Sequence, residues 1–353
     1  MTTKNNFIFN QKKPWDDNSN TIWLASTISL QRNIEKFKFP GKLNAESKSQ
    51  IVSLISKHLL KISGLTDPIL IKAEDIGPLE KEFLAEHLLT SQNYNQTNVG
   101  EGFIVDSTGE FTALLNIQDH IRLQLIDCKG ELENTWSRLV KIESNLGKHL
   151  NYSFLPTYGF LTADPYTCGT ALIGSIYLQL PGLIHTGKID EILDKYQDEA
   201  ISISGIQGSP TEIIGDVLLI QNNYTLGFTE ENIISLLRSF TTKLIVEEKS
   251  ARTKIKKESN IEVKDKISRA FGILIHSYQL EAVEALNALS LLKLGLDLGW
   301  ITGIDNQKIN EIFFNCRRAH LLSQIQDNVT QEEVPHKRSE TLHKALQSIQ
   351  LTV

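Results

Sequence analysis

The chain has 353 residues, a length that suggests two domains or one large domain with a smaller one. Apolar residues make up 41% of it and charged residues 22%, which is ordinary for a globular protein and excludes fibrous and disordered classes. Lysine and arginine number 36 against 42 for aspartate and glutamate, a net charge of -6. This balance lacks the basic surplus that binds phosphate backbones, so we expect no nucleic-acid partner.

The three cysteines, Cys128, Cys168 and Cys316, lie far apart and show neither a CxxC nor a Cys/His spacing. They predict free thiols in a reducing compartment, with no disulfide framework and no metal site. No run reaches the roughly 18–20 apolar residues that span a bilayer. The first 20 residues are polar and lack the apolar core of a secretory signal. The sequence therefore predicts a cytoplasmic protein without a membrane partner.

The first half of the chain predicts mixed helix and strand. Residues 1–20 are rich in Asn and Lys and predict a loose lead-in. Apolar residues between 45 and 62 recur at helical spacing, and Gly64 follows as a stop signal. Two β-rich runs flank the turn-like residues 106–109, which predicts a hairpin, and a helix with a polar face is predicted over 131–150.

The second half changes from predicted sheet to predicted helix. Residues 158–226 alternate Gly/Pro/Thr-rich loops with β-branched runs, which indicates strands with long loops. A long helix is predicted from 229 to about 258. Amphipathic spacing then predicts helices over 262–279, 281–298, 306–327 and 336–350. We therefore predict an α+β protein in three parts: a lead-in at 1–20, an α+β domain at 21–258 and an all-helical domain at 259–353.

Five segments, taken in chain order, carry a family resemblance. They are LASTISLQRNIEKFKFPGKL, NIQDHIRLQLI, YGFLTADPYTCGTALIGSIYLQLPGL, SGIQGSPTEIIGDVLLIQNNYTLG and ISRAFGILIHSYQLEAVEALNALSLLKLGLDLG. The first four resemble the SSRVRLARN, NEEDHLR, CPTNxGTxxRAS and RGxxGExSEAxGxxxxISNxxTLG stretches of the guanidino-kinase (ATP:guanido phosphotransferase) family. The fifth resembles the helical extension of its bacterial protein-arginine kinase branch. The resemblance implies a saddle-shaped antiparallel sheet flanked by helices, followed by an all-helical C-terminal domain.

Members of this family transfer the γ-phosphoryl group of ATP to an arginine guanidinium, which lies on a protein in the bacterial branch. Phosphoryl transfer needs cations around the triphosphate, because the protein mainly positions the phosphates and neutralises their charge. It also needs carboxylates that orient the guanidinium and accept its proton, since that group is otherwise permanently charged. The resemblance assigns these positions to residues of this chain.

Most of the assigned positions carry neutral side chains. Around the nucleotide the resemblance assigns Ser26, Thr27, Ser29, His87, Arg122, Ile173 and Ser204. At the substrate it assigns Gln118 to the proton-accepting carboxylate, Asp164 to the thiolate cysteine and Ser209 to the second carboxylate. Of five phosphate-facing arginines only Arg122 is kept, and both carboxylates are gone. A charge-assisted hydrogen bond contributes about 1.5–3 kcal/mol, so four losses would weaken ATP binding by orders of magnitude.

Several residues have two open interpretations. Asp164 either replaces the thiolate or caps a turn, and Cys168 either offers a displaced thiol or is a small buried residue. Arg122 either binds an anion or forms an inherited ion pair with Asp119, because its planar donor fork suits both roles. His87 matches a histidine that the family places near the nucleotide, but a packed core histidine fits the same position.

The bacterial branch also carries an R-D-x-x-R-A motif that senses phospho-arginine. Its best local match is VPHKRSETL, in which only Arg338 survives. We interpret the emptied site as that of an inactive pseudokinase with a regulatory or scaffolding role. Its expected partners are proteins, including a second copy in a homodimer formed through the helical domain, and no cofactor or metal is expected. Two alternatives stay open: an active divergent protein-arginine kinase that uses ATP with Mg, and a binding module for a small ligand or phospho-arginine.

Overall fold

The structure is a computed structural model that describes residues 8–89, 94–206, 212–325 and 329–352. An antiparallel sheet of eight strands forms its centre: β1 (Trp23–Arg32), β2 (Ile69–Lys72), β3 (Gly102–Val105), β4 (Phe111–Leu115), β5 (Ile121–Asp127), β8 (Leu172–Gln179), β9 (Ile201–Gly205) and β10 (Val217–Asn222). Two short strands, β6 (Phe154–Leu155) and β7 (Gly159–Phe160), pair separately. The spatial order β2-β3-β4-β5-β1-β8-β10-β9 puts β5 and β1 in the middle of the sheet.

Helices flank this sheet and form most of the C-terminal part. The first group is α1 (Ala45–Leu59), α2 (Pro78–His87), α3 (Leu132–Gly147), α4 (Pro181–His185), α5 (Ile189–Lys195) and α6 (Glu230–Glu258). The second group is α7 (Ile261–His276), α8 (Ala282–Leu298), α9 (Asn306–Asn315), α10 (Arg318–Gln324) and α11 (Val334–Ala345), with the short pair β11 (Ile301–Thr302) and β12 (Gln350–Leu351). Within the described ranges, no helix has both the length and the apolar character to cross a membrane.

One face of the sheet packs against α1, α3 and α6. Side chains alternate between the two faces along a strand, so Ile28 and Leu30 of β1 lie on the same side as Leu123 of β5. Together with Ile55 of α1 and Leu139 of α3 they belong to the first apolar cluster. Full burial of such a side chain contributes about 1.5–3 kcal/mol, and this cluster therefore fixes the three helices to the sheet.

The opposite face packs against α2 and the C-terminal helices. Ala25 of β1 and Ile126 of β5 lie in the second apolar cluster, which also contains Phe83 of α2, Leu289 of α8 and Phe313 of α9. This cluster runs across residue 259, where the sequence predicts a domain boundary. The α+β part and the helical part therefore share one core.

The described part of the N-terminal lead-in is packed, not loose. Ile8 and Trp15 are fully buried, and the Trp15 ring stacks on that of Phe314 with 4.6 Å between the ring centroids. A few apolar residues scattered through a polar stretch produce no periodic pattern, so this contact was not predictable from the sequence.

The predicted fold class is confirmed, and so are most of its elements. The hairpin predicted at 106–109 joins β3 to β4, and Gly109 adopts the left-handed backbone conformation that such turns use, with φ at +70°. The predicted long helix is α6, and its N-cap Thr229 accepts a hydrogen bond from the backbone of Asn232. The short helices α4 and α5 are missing from the prediction, because five to seven residues are too few to show a helical period.

The helix predicted over 306–327 is wrong as one element, because α9 ends at Asn315 and α10 begins at Arg318. The carboxylate of Glu86, on α2, accepts hydrogen bonds from the backbone amides of Ala319 and His320 at 3.0 Å each. These amides belong to the first turn of α10, whose N–H groups have no partner within the helix. Glu86, more than 230 positions earlier in the chain, thus caps the first turn of α10.

Candidate functional site

Five of the six family positions that lie on strands share one face of the sheet. Thr27 lies opposite Ser175 of β8, and Ser29 lies opposite Ile173 of β8 and Gln124 of β5. Directly opposed residues of antiparallel strands point to the same side, and every second residue of a strand does so too. By the same register Arg122 and Ser204 lie on this side as well. We call it the neutral face.

Ser26 is the exception among the assigned strand residues. It precedes Thr27 on β1 and therefore points to the other side of the sheet, toward the first apolar cluster. Its hydroxyl donates to Asp127 Oδ2 at 3.2 Å and is fully buried. Ser26 therefore does not line the surface that Thr27 and Ser29 share.

The neutral face owes its name to its side chains. Its polar strand residues are uncharged amides and hydroxyls: Thr27, Ser29, Gln31, Thr112, Gln124, Ser175, Tyr177, Gln179, Ser202, Ser204 and Gln221. Arg122 is the single charged side chain that the described strands place there. A polyanion on this face would therefore meet one cation from the sheet.

Leu88 and Leu89, which directly follow α2, cover the centre of the neutral face. We call these two residues the segment after α2. Gln124 Nε2 donates to the backbone carbonyl of Leu88 at 3.1 Å, and the Tyr177 hydroxyl donates to that of Leu89. Thr27 is 4% exposed and Ser29 1%. A ligand could reach these two hydroxyls only if the covering segment moved away.

Arg122 lines a small cavity with Gln31 and Asp119. The cavity measures about 10 Å³, enough for roughly one water molecule. Three polar atoms around it are buried without a hydrogen-bond partner: Arg122 Nε, Gln31 Oε1 and Asp119 Oδ2. Among the described residues no ion pair joins Arg122 to a carboxylate, so the pair with Asp119 that one interpretation predicts is not formed. Burial raises the pKa of Asp119, and the nearby charge of Arg122 partly opposes this rise.

Gln118 and Asp164 come from two loops that meet at Asp119. Gln118 is exposed on the turn between β4 and β5. The next residue, Asp119, accepts hydrogen bonds at Oδ1 from Asn33 Nδ2 at 2.6 Å and from the backbone of Ala163 at 2.7 Å. The two loops that the resemblance assigns to the substrate are therefore adjacent, but the side chains that they offer are an amide and one carboxylate.

The carboxylate of Asp164 has a structural partner. It accepts from the backbone amide of Tyr166 at 3.0 Å and caps the short helical turn Pro165–Thr167. This geometry favours the turn-capping interpretation. Cys168 is half-buried, with its Sγ 3.5 Å from the backbone nitrogen of Thr162. Ser209, the third substrate position, lies outside the described residues.

His87 lies in the core beside α2. It is 1% exposed, its Nε2 is 2.7 Å from the carbonyl of Gly109, and its ring centroid lies 5.1 Å from that of Trp15 and 5.9 Å from that of His320. The packed interpretation therefore fits its surroundings. His120 is fully buried too, with Nδ1 accepting from the amide of Ile34 and Nε2 donating to a backbone carbonyl.

Arg338, the remnant of the phospho-arginine sensor motif, is 2% exposed. Its Nε donates to the carbonyl of Cys316 at 2.8 Å and its Nη1 to that of Leu280 at 2.7 Å. These two hydrogen bonds join α11 to Cys316, directly after α9, and to Leu280, shortly before α8.

We expect the protein to lose stability as the pH falls below about 6.5, because of two buried histidines. Burial lowers the pKa of His87 to about 4 and that of His320 to about 3. In the unfolded chain these histidines have pKa values near 6.5, so below that pH they bind protons that they do not bind in the folded chain. The free energy of unfolding therefore falls by up to about 1.4 kcal/mol per pH unit per histidine. Urea unfolding between pH 7.5 and 4.5 measures the slope.

The matched substitutions for this pH experiment are His320→Asn and His276→Gln. Asparagine keeps a donor toward Glu86 but does not titrate, so the slope should decrease, whereas the exposed His276 should leave it unchanged. Equal stability at pH 7 and pH 5 in the unmodified protein would contradict the prediction.

The residues that close the neutral face were not among the sequence assignments. Gln31, Gln124 and Tyr177 surround the family positions. Gln124 and Tyr177 bind the segment after α2, and Gln31 lines the Arg122 cavity. A signal for Gln31 and Gln124 is present, because T-x-S-x-Q and R-x-Q alternate polar and apolar residues along two neighbouring strands. That alternation indicates a second, polar face of the sheet.

Comparison with known proteins agrees with this architecture along most of the chain. Residues 42–251 match the family described as ATP:guanido phosphotransferase, C-terminal catalytic domain, and residues 260–352 match Protein-arginine kinase McsB C-terminal domain. The chain is 35% identical over 339 residues to the protein-arginine kinase of Chlamydia pneumoniae, covering 94% of this chain and 93% of that protein. It is 33% identical over 325 residues to that of Halothermothrix orenii, covering 92% and 93%.

Solved structures show the same fold at lower identity. The duplicated taurocyamine kinase from Schistosoma mansoni superimposes with a TM-score of 0.58 at 24% identity, over 65% of this chain and 33% of that duplicated chain. Lombricine kinase superimposes with a TM-score of 0.57 at 20% identity, over 68% and 72% of the two chains. Together with the sequence matches, this establishes that the chain belongs to the protein-arginine kinase branch of the ATP:guanido phosphotransferase family.

Proposed function

We propose that this member of the protein-arginine kinase family is a catalytically inactive pseudokinase with a regulatory or scaffolding role. The observation that carries the proposal is the neutral face, where the positions of the lost arginines hold the buried hydroxyls of Thr27 and Ser29 and two half-buried uncharged residues, Ile173 and Ser204. It acts by binding other proteins, including a second copy of itself, in the cytoplasm.

The residues present do not fit a nucleoside triphosphate. Its phosphates carry several negative charges, and moving them out of water is costly unless cations and hydrogen bonds replace the solvent. Arg122 is the only cation that the described strands place on the neutral face, and the cavity beside it has room for about one water molecule. Within the described residues, no group of three or more His, Cys, Asp or Glu side chains could hold a metal ion either.

The position of the catalytic base supports the same proposal. Gln118 occupies the place of the proton-accepting carboxylate, and an amide does not accept a proton near neutral pH. Two other arginines line the cavity of about 480 Å³ between α2 and α8. Arg318 pairs with Glu82, and Arg317 donates from Nε and Nη1 to two backbone carbonyls while its Nη2 has no partner among the described residues.

The test combines ATP binding with an assay of arginine phosphorylation. With Mg and ATP, we expect calorimetry to give no binding tighter than about 1 mM, a bound set by the loss of four charge-assisted contacts. We expect no acid-labile phosphate on an arginine-rich protein incubated with labelled ATP. An active protein-arginine kinase from a relative serves as the positive control.

Micromolar ATP binding that Arg122→Ala abolishes would contradict the closed neutral face. Phosphate on arginine would contradict the whole proposal and would favour the active divergent kinase. The Arg122→Ala variant is suitable for this purpose because Arg122 makes no ion pair with the described residues, so its loss should leave the fold intact.

A further inference from the structure

Two histidine rings stack face to face at the ends of α1 and α3. The ring of His58, in the last turn of α1, lies 4.7 Å from that of His149, just beyond α3, and the ring planes differ by 10°. The pair forms part of an open groove of about 420 Å³. We call it the basic groove, and it is lined by Lys57, His58, Lys61, Ile62, Ser63, Asn145, Lys148 and His149.

The basic groove holds three lysines and no acidic side chain. Among the described residues no carboxylate forms an ion pair with Lys57, Lys61 or Lys148, and Lys148 Nζ donates instead to the neutral Asn145 Oδ1 at 2.8 Å. Elsewhere on the described surface, lysines and arginines do pair with carboxylates, as Lys195 does with Glu247 and Arg238 with Glu133. The groove therefore has an uncompensated positive charge.

Helix ends do not account for all of this charge. Lysines and histidines commonly lie near helix C-termini, because each end carries about half a negative charge. Two such ends supply about one negative charge, and three lysines exceed it by about two before either histidine is protonated. The remaining positive charge would be neutralised by a ligand from solution.

The donors in the groove match the chemistry of phosphate. Each lysine offers three N–H donors on a flexible stem, and each imidazole offers a ring N–H that gains a charge on protonation. A phosphate group presents three or more acceptor oxygens and about two negative charges near pH 7. The pKa of His58 is lowered, first by burial and then by the neighbouring His149 and lysines. A bound anion would oppose the effect of these neighbours on His58.

We propose that the basic groove is a binding site for a small anion that carries phosphate groups. The groove lies with α1 and α3 on the side of the first apolar cluster, whereas the neutral face lies on the other side of the sheet. The two sites are therefore independent, and this proposal does not depend on whether the protein is inactive.

The test is an NMR titration of the full-length protein with inorganic pyrophosphate at constant ionic strength. With nine histidines in the chain, ring signals report on the groove separately from other sites. We expect the His58 and His149 signals to shift saturably while the signal of His276, exposed at the end of α7, stays in place.

Substitutions separate a site from general charge attraction. The double variant Lys57→Ala/Lys61→Ala should weaken pyrophosphate binding about five- to tenfold, since exposed ion pairs contribute up to about 1 kcal/mol each. Lys249→Ala/Lys257→Ala on α6 removes the same charge from exposed positions elsewhere and should weaken it less than about twofold. Unmoved His58 and His149 signals, or equal weakening by the two double variants, would overturn the proposal.

Discussion

Thr27→Arg, which restores the arginine that the family has at this position, is expected to lower the free energy of unfolding by about 3–5 kcal/mol. Thr27 is 4% exposed on a face where the described strands offer no carboxylate, so the new guanidinium would be buried without a partner. An uncompensated buried charge is among the largest single-residue penalties in proteins. Urea unfolding followed by tryptophan fluorescence measures the change.

Ser204→Arg is the matched control for this experiment. Ser204 also occupies a lost arginine position on the neutral face, but it is half-buried on β9, the edge strand of the sheet. A long side chain there can extend to solvent, so we expect a cost below about 1 kcal/mol. If Thr27→Arg proved as stable as the unmodified protein, the neutral face would have to open readily, and the main support for an inactive protein would be lost.

Glu86→Ala is expected to destabilise the protein by about 3–5 kcal/mol, because Glu86 holds the two parts of the chain together. Its carboxylate accepts from the amides of Ala319 and His320 and, at 2.8 Å, from His320 Nδ1. Without it the first turn of α10 loses its acceptor and the Arg317 guanidinium loses its nearest negative charge. Denaturant unfolding gives the change in free energy.

Glu82→Ala, one turn earlier on α2, provides the comparison. Glu82 pairs with Arg318, but both side chains are about one-third exposed or more, and such pairs contribute at most about 1 kcal/mol. A similar small loss in both variants would mean that the Glu86 contacts are replaced by water at little cost. That outcome would contradict the role given to Glu86 as the cap of α10.

Periodicity and turn chemistry predict most of the fold because those signals lie within each element. The helical spacing of Ile51, Ile55 and Leu59 gives α1, and the turn at 106–109 gives the β3–β4 hairpin. The break between α9 and α10 was not predictable in this way. It depends on Glu86, which comes close only after the two parts have packed together.

The candidate site could be predicted as a set of positions but not as a surface. The resemblance identifies Thr27, Ser29 and Arg122, and the alternation along their strands implies a common face. What covers that face is the backbone carbonyls of Leu88 and Leu89. Every residue has such a carbonyl, so no residue type at these positions indicates that it will bind Gln124 or Tyr177.

The second apolar cluster limits what the protein can do mechanically. Phe83, Ile126, Leu289 and Phe313 belong to one continuous core, so a hinge between the sheet and the C-terminal helices would expose that core to water. Any two partners docked on the sheet and on the C-terminal helices would therefore be held at a fixed distance and angle.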